Sequence, residues 1–119
     1  MKKTVFLALV LTALFFVTAC SSTTTSPGTG QSLAFQKGCT ACHSVDKTDK
    51  VGPTWVELYG SQVELADGTL VTADDGYLIE SIKDPDAKTV KDFSKGSMPL
   101  VPLTDDELNA LVAYIKSVK

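Results

Sequence analysis

The fold of this chain is organised around five consecutive residues, Cys39-Thr40-Ala41-Cys42-His43. Two thiols that are separated by two residues and followed directly by an imidazole are typical of a covalent attachment site for a c-type haem. The two sulfur atoms would form thioethers, and the histidine would bind the iron. A bare C-x-x-C also occurs in thioredoxin-like redox pairs and in half of a zinc site. Zinc needs four ligands, however, and beyond Cys39, Cys42 and His43 the domain offers only scattered carboxylates.

The histidine count limits how the iron could be bound on its other side. His43 is the only histidine of the sequence, so a sixth ligand has to be another residue type. Met1 would leave with a signal peptide, which leaves Met98, in the loop sequence Gly96-Ser97-Met98-Pro99. A lone methionine is usually core filler, and the nearby Lys95 is a competing donor whose ammonium must first lose a proton. The pattern favours His43 and Met98 as the axial pair.

Further motifs surround the attachment site: residues 38–45, Gly52-Pro53-Thr54-Trp55, residues 77–82 with Asp84-Pro85, and Met98-Pro99. With them, the chain from about residue 31 to 119 resembles the class I (mono-haem) cytochrome c family. It most resembles the domain fused to subunit II of some bacterial haem-copper oxidases, but without the copper-binding domain that precedes it there. The resemblance implies a mostly α cytochrome c fold, with three or more helices around one covalently bound haem c and a small β-hairpin.

The resemblance also implies roles for three residues near the motif. In relatives, the carbonyl of a proline placed like Pro53 accepts the N–H of the iron-bound imidazole and fixes its tautomer. An ordinary turn proline is the alternative. Trp55 and Tyr59 carry polar groups on large rings, so they would either border the haem and bond a propionate or only pack in the core.

The first 19 residues predict a lipoprotein signal peptide. Lys2 and Lys3 precede an apolar run over 5–17, which is shorter than the roughly 20 residues that a membrane-spanning helix needs. Small residues before Cys20 resemble the lipobox of bacterial lipoproteins, in which the cysteine is diacylated. An ordinary secretory leader and an uncleaved anchor are the alternatives. The interpretation predicts an exported protein, lipid-anchored to a bacterial membrane on its periplasmic or outer face.

The rest of the chain divides into a tether and one domain. Residues 20–31 are predicted to be the lipidated cysteine and a flexible tether, because 21–31 is rich in Ser, Thr, Gly and Pro without apolar periodicity. Residues 32–119 are predicted to form one cytochrome c domain. The net charge is −3, or −5 without Lys2 and Lys3, which argues against nucleic acid as a partner.

Start and stop signals predict three helices. They are a short helix capped by Ser32 and ended by Lys37-Gly38, a helix capped by Asp74 or Asp75 and ended by Asp84-Pro85, and a helix over about 105–118 that opens with a capping box at Thr104. Since the family crosses its first and last helices, Phe35 should contact Leu111 and Tyr114.

A hairpin and a roof over the haem complete the predicted domain. Asp67-Gly68 predicts a two-residue hairpin turn with Leu65 opposite Leu70. Three apolar residues that follow the Met98 loop could cover the haem: Leu100, Val101 and Leu103.

Filled axial positions point to electron transfer, because substrate could then not reach the iron. The predicted protein is therefore a membrane-tethered carrier of single electrons and not an enzyme. Its partners would be a quinol-oxidising donor and a terminal oxidase or reductase. The alternative is a haem enzyme or gas sensor in which Met98 detaches. A distal acid–base histidine or arginine would favour that alternative, and none follows His43.

Overall fold

The computed structural model describes residues 27–119. Their elements, in chain order, are α1 (Pro27–Gln36), α2 (Cys39–Cys42), β1 (Gln62–Glu64), β2 (Leu70–Thr72), α3 (Asp75–Lys83) and α4 (Asp105–Ser117). The two strands form one antiparallel sheet. This mostly helical architecture with a small hairpin agrees with the fold class that the sequence predicts.

Helix α1 begins at Pro27, five residues before the predicted cap Ser32. Proline suits the first helical position, because its φ is already fixed and its missing N–H would have no partner there. The boundary between tether and domain is therefore corrected: residues 27–31 are helical and precede the predicted domain start. Residues 20–26, which include Cys20, lie outside the described residues.

Small residues make the contact between α1 and α4. A Cβ atom on Gly30 would lie 2.1 Å from the carbonyl oxygen of Ala110 and 2.6 Å from Cβ of Tyr114, so only glycine permits this approach. Ala34, one turn later on the same face, is completely buried. Tertiary packing overrides the low helix propensity of this Ser/Gly-rich segment, which explains why α1 extends upstream of Ser32.

Phe35 takes no part in this contact, because its side chain is 77% exposed. The predicted contacts of Phe35 with Leu111 and Tyr114 are wrong. Successive residues are about 100° apart around a helix axis. The face that turns Gly30 and Ala34 towards α4 therefore turns Phe35 away from it.

The predicted caps of α3 and α4 are confirmed. The Asp74 carboxylate accepts the N–H of Tyr77 at 2.8 Å at the start of α3. Thr104 and Glu107 form both hydrogen bonds of the capping box at the start of α4. Because a cap depends on residues three positions apart, the sequence alone could predict it.

The hairpin is present, but its register differs from the prediction by one residue. Glu64, and not Leu65, lies opposite Leu70. The carbonyl of Leu65 accepts the N–H of Gly68, and the N–H of Leu65 donates to Thr69. This makes a three-residue loop in which Gly68 has a φ of 85°, the position that a glycine bulge requires.

The hairpin also holds the chain that follows α3. The N–H of Lys91 donates to the carbonyl of Glu64, and Leu65 forms an isolated bridge with Val90. Behind this segment the buried apolar side chains form one core: Ala34, Trp55, Val63, Leu65, Ala73, Tyr77, Leu78, Leu108, Leu111, Val112, Tyr114 and Ile115. The core thus supports the surface on which the predicted site residues lie.

Candidate haem-binding site

The attachment motif lies directly after α1. Gly38 ends that helix, α2 (Cys39–Cys42) is a single turn, and the N–H of His43 donates to the carbonyl of Cys39 at 2.9 Å. Cys39 and Cys42 are half-buried, and both line the same cavity as His43. Burial raises the pKa of the Cys39 thiol, whereas a thioredoxin-like pair needs a thiol of lowered pKa. The raised pKa of Cys39 therefore gives no support to the redox-pair interpretation.

The imidazole of His43 is held through its Nδ1 atom, which lies 2.8 Å from the carbonyl oxygen of Pro53. A carbonyl only accepts hydrogen bonds, so Nδ1 carries the proton and Nε2 has a free lone pair. Burial lowers the pKa of His43, although the bond to Pro53 opposes this shift. The neutral ring is the form that binds a metal.

Two neighbours fix the plane of this imidazole. Trp55 is buried and stacks on it, with ring centroids 5.0 Å apart and planes 17° apart. On the ring's edge, a Cβ atom on Gly52 would lie 2.9 Å from Cε1 of His43, so glycine is required there. Trp55 in turn meets Tyr114 of α4 edge to face, at 6.1 Å. The ring is thus positioned by the core of the protein.

Tyr59 lies elsewhere. It does not line the cavity, and the ammonium of Lys116 lies 4.5 Å from the centre of its ring. Lys116 also pairs with Asp75 at 2.7 Å, so Tyr59 belongs to a surface cluster between α3 and α4. The predicted haem contact of Tyr59 is corrected accordingly. Trp55 and Pro53, by contrast, do line the cavity.

Met98 is half-buried and lines the cavity together with Cys39, Cys42 and His43. The walls include the apolar side chains of Ile82, Val90, Phe93, Val101 and Leu103. The empty space measures about 1280 Å³ when its solvent-open part is counted. Leu100, expected in the roof, instead lies outside the cavity lining and is 71% exposed. Lys95, the competing donor, also lines this space.

Lys37 joins three parts of the site. Its ammonium lies 3.0 Å from the Glu107 carboxylate of α4 and 3.4 Å from the carbonyl oxygen of Pro102. Pro102 follows Met98 in the same loop, so Lys37 links α1, α4 and that loop beside the cavity. No local pattern reveals such a contact, because 65 residues separate Lys37 from Pro102.

The residues present fit haem c. Two cysteine side chains, an imidazole with Nε2 available and a thioether line one cavity with largely apolar walls, as a covalently attached, apolar macrocycle with axial ligands requires. Residues 28–119 match the cytochrome c family. The chain belongs to this family. Membership implies a covalently bound haem c and electron transfer, and characterised members of the family are electron carriers.

Solved cytochromes share this fold. Cytochrome cH from Methylobacterium extorquens is 22% identical, with a TM-score of 0.56 over 77% of this chain and 98% of that one. Ferricytochrome c2 from Rhodopseudomonas palustris is 17% identical, with a TM-score of 0.56 over 79% of this chain and 99% of that one. No curated protein matches the chain. Cytochromes c of this family are typically exported to the periplasm, and across residues 27–119 no helix has the length and apolarity to cross a membrane.

Ser44, directly after the attachment motif, offers a first test of this cytochrome's packing. Its Oγ atom is buried without a hydrogen-bond partner, which costs roughly 1–3 kcal/mol. Ser44→Ala is therefore expected to raise the free energy of unfolding by about 1 kcal/mol, measured by denaturant titration. Ser32→Ala, at an exposed position of α1, is the control and should stay within about 0.5 kcal/mol. A destabilised Ser44→Ala protein would show that the hydroxyl has a partner.

Proposed function

We propose that the chain is a membrane-tethered mono-haem cytochrome c that carries single electrons between components of a respiratory chain. The observation that carries this proposal is that Cys39, Cys42, His43 and Met98 line one cavity. A haem bound there would supply reversible one-electron chemistry at its iron. What remains for the protein is to hold the group, exclude water and set its potential.

Each of these tasks has a residue. Cys39 and Cys42 would hold the group through thioethers, and His43 would bind the iron through Nε2 because Pro53 holds the proton on Nδ1. That hydrogen bond strengthens the imidazole as a donor. Met98 would be the sixth ligand, and a thioether raises the potential because it favours ferrous iron. The apolar walls of the cavity would limit the access of water to a bound haem and would support the same preference.

Filled axial positions favour electron transfer over the alternative of a haem enzyme or gas sensor. Bond chemistry needs an open coordination position and a group that moves protons. Among the described residues, His43 is the only histidine at the cavity, and it already bonds to Pro53. The alternative would require Met98 to leave the iron under working conditions.

The proposed partners are a quinol-oxidising donor and a terminal oxidase or reductase. The motifs that resemble the cytochrome c domain of haem-copper oxidase subunit II support an oxidase as acceptor. The lipobox-like sequence before Cys20 supports a lipid anchor that keeps this cytochrome beside membrane-bound partners. Confinement to one surface would raise the effective concentration of the two proteins for each other.

Cys20→Ser tests the anchor. The wild-type cytochrome is expected to sediment with membranes, whereas Cys20→Ser should release it or block its processing, because the diacyl group needs the cysteine sulfur. The distribution of haem-stained protein between membrane and soluble fractions measures this. Ser21→Ala is the matched control and should stay membrane-bound. An unlipidated, soluble wild-type protein would contradict the anchor.

The same membranes test the carrier role. Membrane-bound wild-type cytochrome, once reduced, should be reoxidised when oxygen or the natural terminal acceptor is added, and this should stop when the terminal enzyme is inhibited. Released Cys20→Ser protein should react with a small soluble oxidant as fast as the wild type, but more slowly with the membranes. A wild-type cytochrome that membranes neither reduce nor oxidise would contradict the proposed partners.

A further inference from the structure

The segment that carries Met98 has little structure of its own. From Lys91 to Thr104 the chain forms neither helix nor strand. Over residues 94–103 the structure contains one backbone–backbone hydrogen bond, from the N–H of Ser97 to the carbonyl of Ser94 at 3.3 Å. A segment with so few bonds of its own depends on contacts with the rest of the domain to stay in place.

Two side chains from other parts of the domain supply such contacts, Lys37 after α1 and Asp86 after α3. Lys37 reaches Pro102 at 3.4 Å, which is a long contact at the far end of the segment. The carboxylate of Asp86 accepts the N–H of Gly96 at 2.7 Å, two residues before Met98. This bond is exposed to solvent, but its length is that of a well-formed hydrogen bond. Asp86 is thus the anchor nearer to Met98.

Asp86 is itself held by the end of α3 (Asp75–Lys83). It follows Asp84-Pro85, and the N–H of Ala87 donates to the carbonyl of Asp84 at 3.0 Å, which closes a tight turn. Asp86 also lines the cavity. Because Asp86 follows α3 closely, its bond to Gly96 fixes the Met98 turn relative to that helix.

We infer that Asp86 is a positioning residue for Met98: its bond to Gly96 holds the thioether over the cavity and opposes the displacement of Met98 by other ligands. The inference rests on the proposed role of Met98 as sixth ligand. It goes beyond that role, because Asp86 would determine how readily another ligand displaces Met98 from the iron. The lysine contact at Pro102 would then secure only the return of the chain to α4.

The test measures how tightly imidazole binds to the ferric full-length protein, because imidazole must displace Met98. Asp86→Ala removes the acceptor, whereas Asp86→Asn keeps an oxygen that can accept the same N–H. Asp86→Ala should bind imidazole about threefold to tenfold more tightly, the effect of one such hydrogen bond. Asp86→Asn should stay within about twofold of the wild type. Loss of the weak far-red band of the iron–thioether bond reports the displacement.

Asp49→Ala is the matched control. Asp49 is an exposed aspartate outside the cavity lining, and its removal should leave imidazole affinity unchanged. Denaturant unfolding of each variant separates this role from a general loss of stability, since a residue that only stabilised the fold would leave the affinity unchanged.

Two results would overturn the role of Asp86 alone. In the first, Asp86→Ala keeps the wild-type far-red band and an unchanged imidazole affinity. In the second, Asp86→Asn binds imidazole as tightly as Asp86→Ala does, which would show that the charge and not the hydrogen bond is responsible. A wild-type protein without the band would overturn the ligand assignment as well.

Discussion

Met98→Ala is expected to lower the reduction potential of the holoprotein on the order of 100 mV, which is about 2.3 kcal/mol of lost preference for the reduced state. The thioether is a soft ligand without a proton to lose, so it stabilises ferrous iron at neutral pH. Without it, the weak far-red band should vanish, and imidazole and carbon monoxide should bind the iron. A redox titration followed by absorption spectroscopy measures all three changes.

Lys95→Gln is the matched control, because Lys95 lines the same cavity and is the competing donor closest to Met98 in the sequence. It should keep the far-red band, and its potential should stay close to that of the wild type. If Lys95→Gln loses the band or Met98→Ala keeps the wild-type spectrum and potential, the ligand assignment is wrong. The enzyme or sensor interpretation would then become the stronger one.

Gly30→Ala is expected to lower the free energy of unfolding by roughly 3 kcal/mol or more, at the upper end of the cost of overpacking. The new Cβ atom would lie 2.1 Å from the carbonyl oxygen of Ala110. Since that atom is backbone, α1 and α4 would have to separate. The roughly 1 kcal/mol of helix propensity that alanine gains cannot offset this. Thermal unfolding should show a Tm roughly 10–20 °C lower.

Gly76→Ala is the control for this prediction. Gly76 is also helical, in the first turn of α3, but its new Cβ atom would meet only the Asp74 carboxylate, at 3.4 Å. The free energy of unfolding of the Gly76→Ala protein should stay the same or rise by up to about 1 kcal/mol. Equal stability of Gly30→Ala and the wild type would show that α1 does not pack on α4 as closely as described.

Gly30 and Phe35 show what sequence reasoning could not reach in α1. The segment reads as a Ser/Gly-rich tether, and Phe35 is its obvious core residue. The structure reverses both interpretations, because a glycine at position 30 lets two helices approach so closely that an upstream, weakly helical segment folds. A pattern of apolar residues cannot signal a contact that depends on the absence of a side chain.

The placement of Tyr59 and the register of the hairpin were missed for the same kind of reason. Tyr59 is near the attachment motif in sequence, yet its ring lies against Lys116, which is 57 positions away. The two-residue turn expected at Asp67-Gly68 became a three-residue loop, which shifted the pairing by one residue. In this register Leu65 is buried in the core and pairs with Val90 instead of Leu70.

The sequence by itself determined the attachment motif, the single histidine and methionine of residues 27–119, and the caps at Asp74 and Thr104. Each of these depends on the chemistry of residues at most four positions apart, or on a simple count. Only the tertiary structure brought Met98 to the same cavity as His43 and placed Asp86 and Lys37 beside its loop. Those arrangements join residues that are distant in the chain through packing and hydrogen bonds, which neither a local pattern nor a residue count reveals.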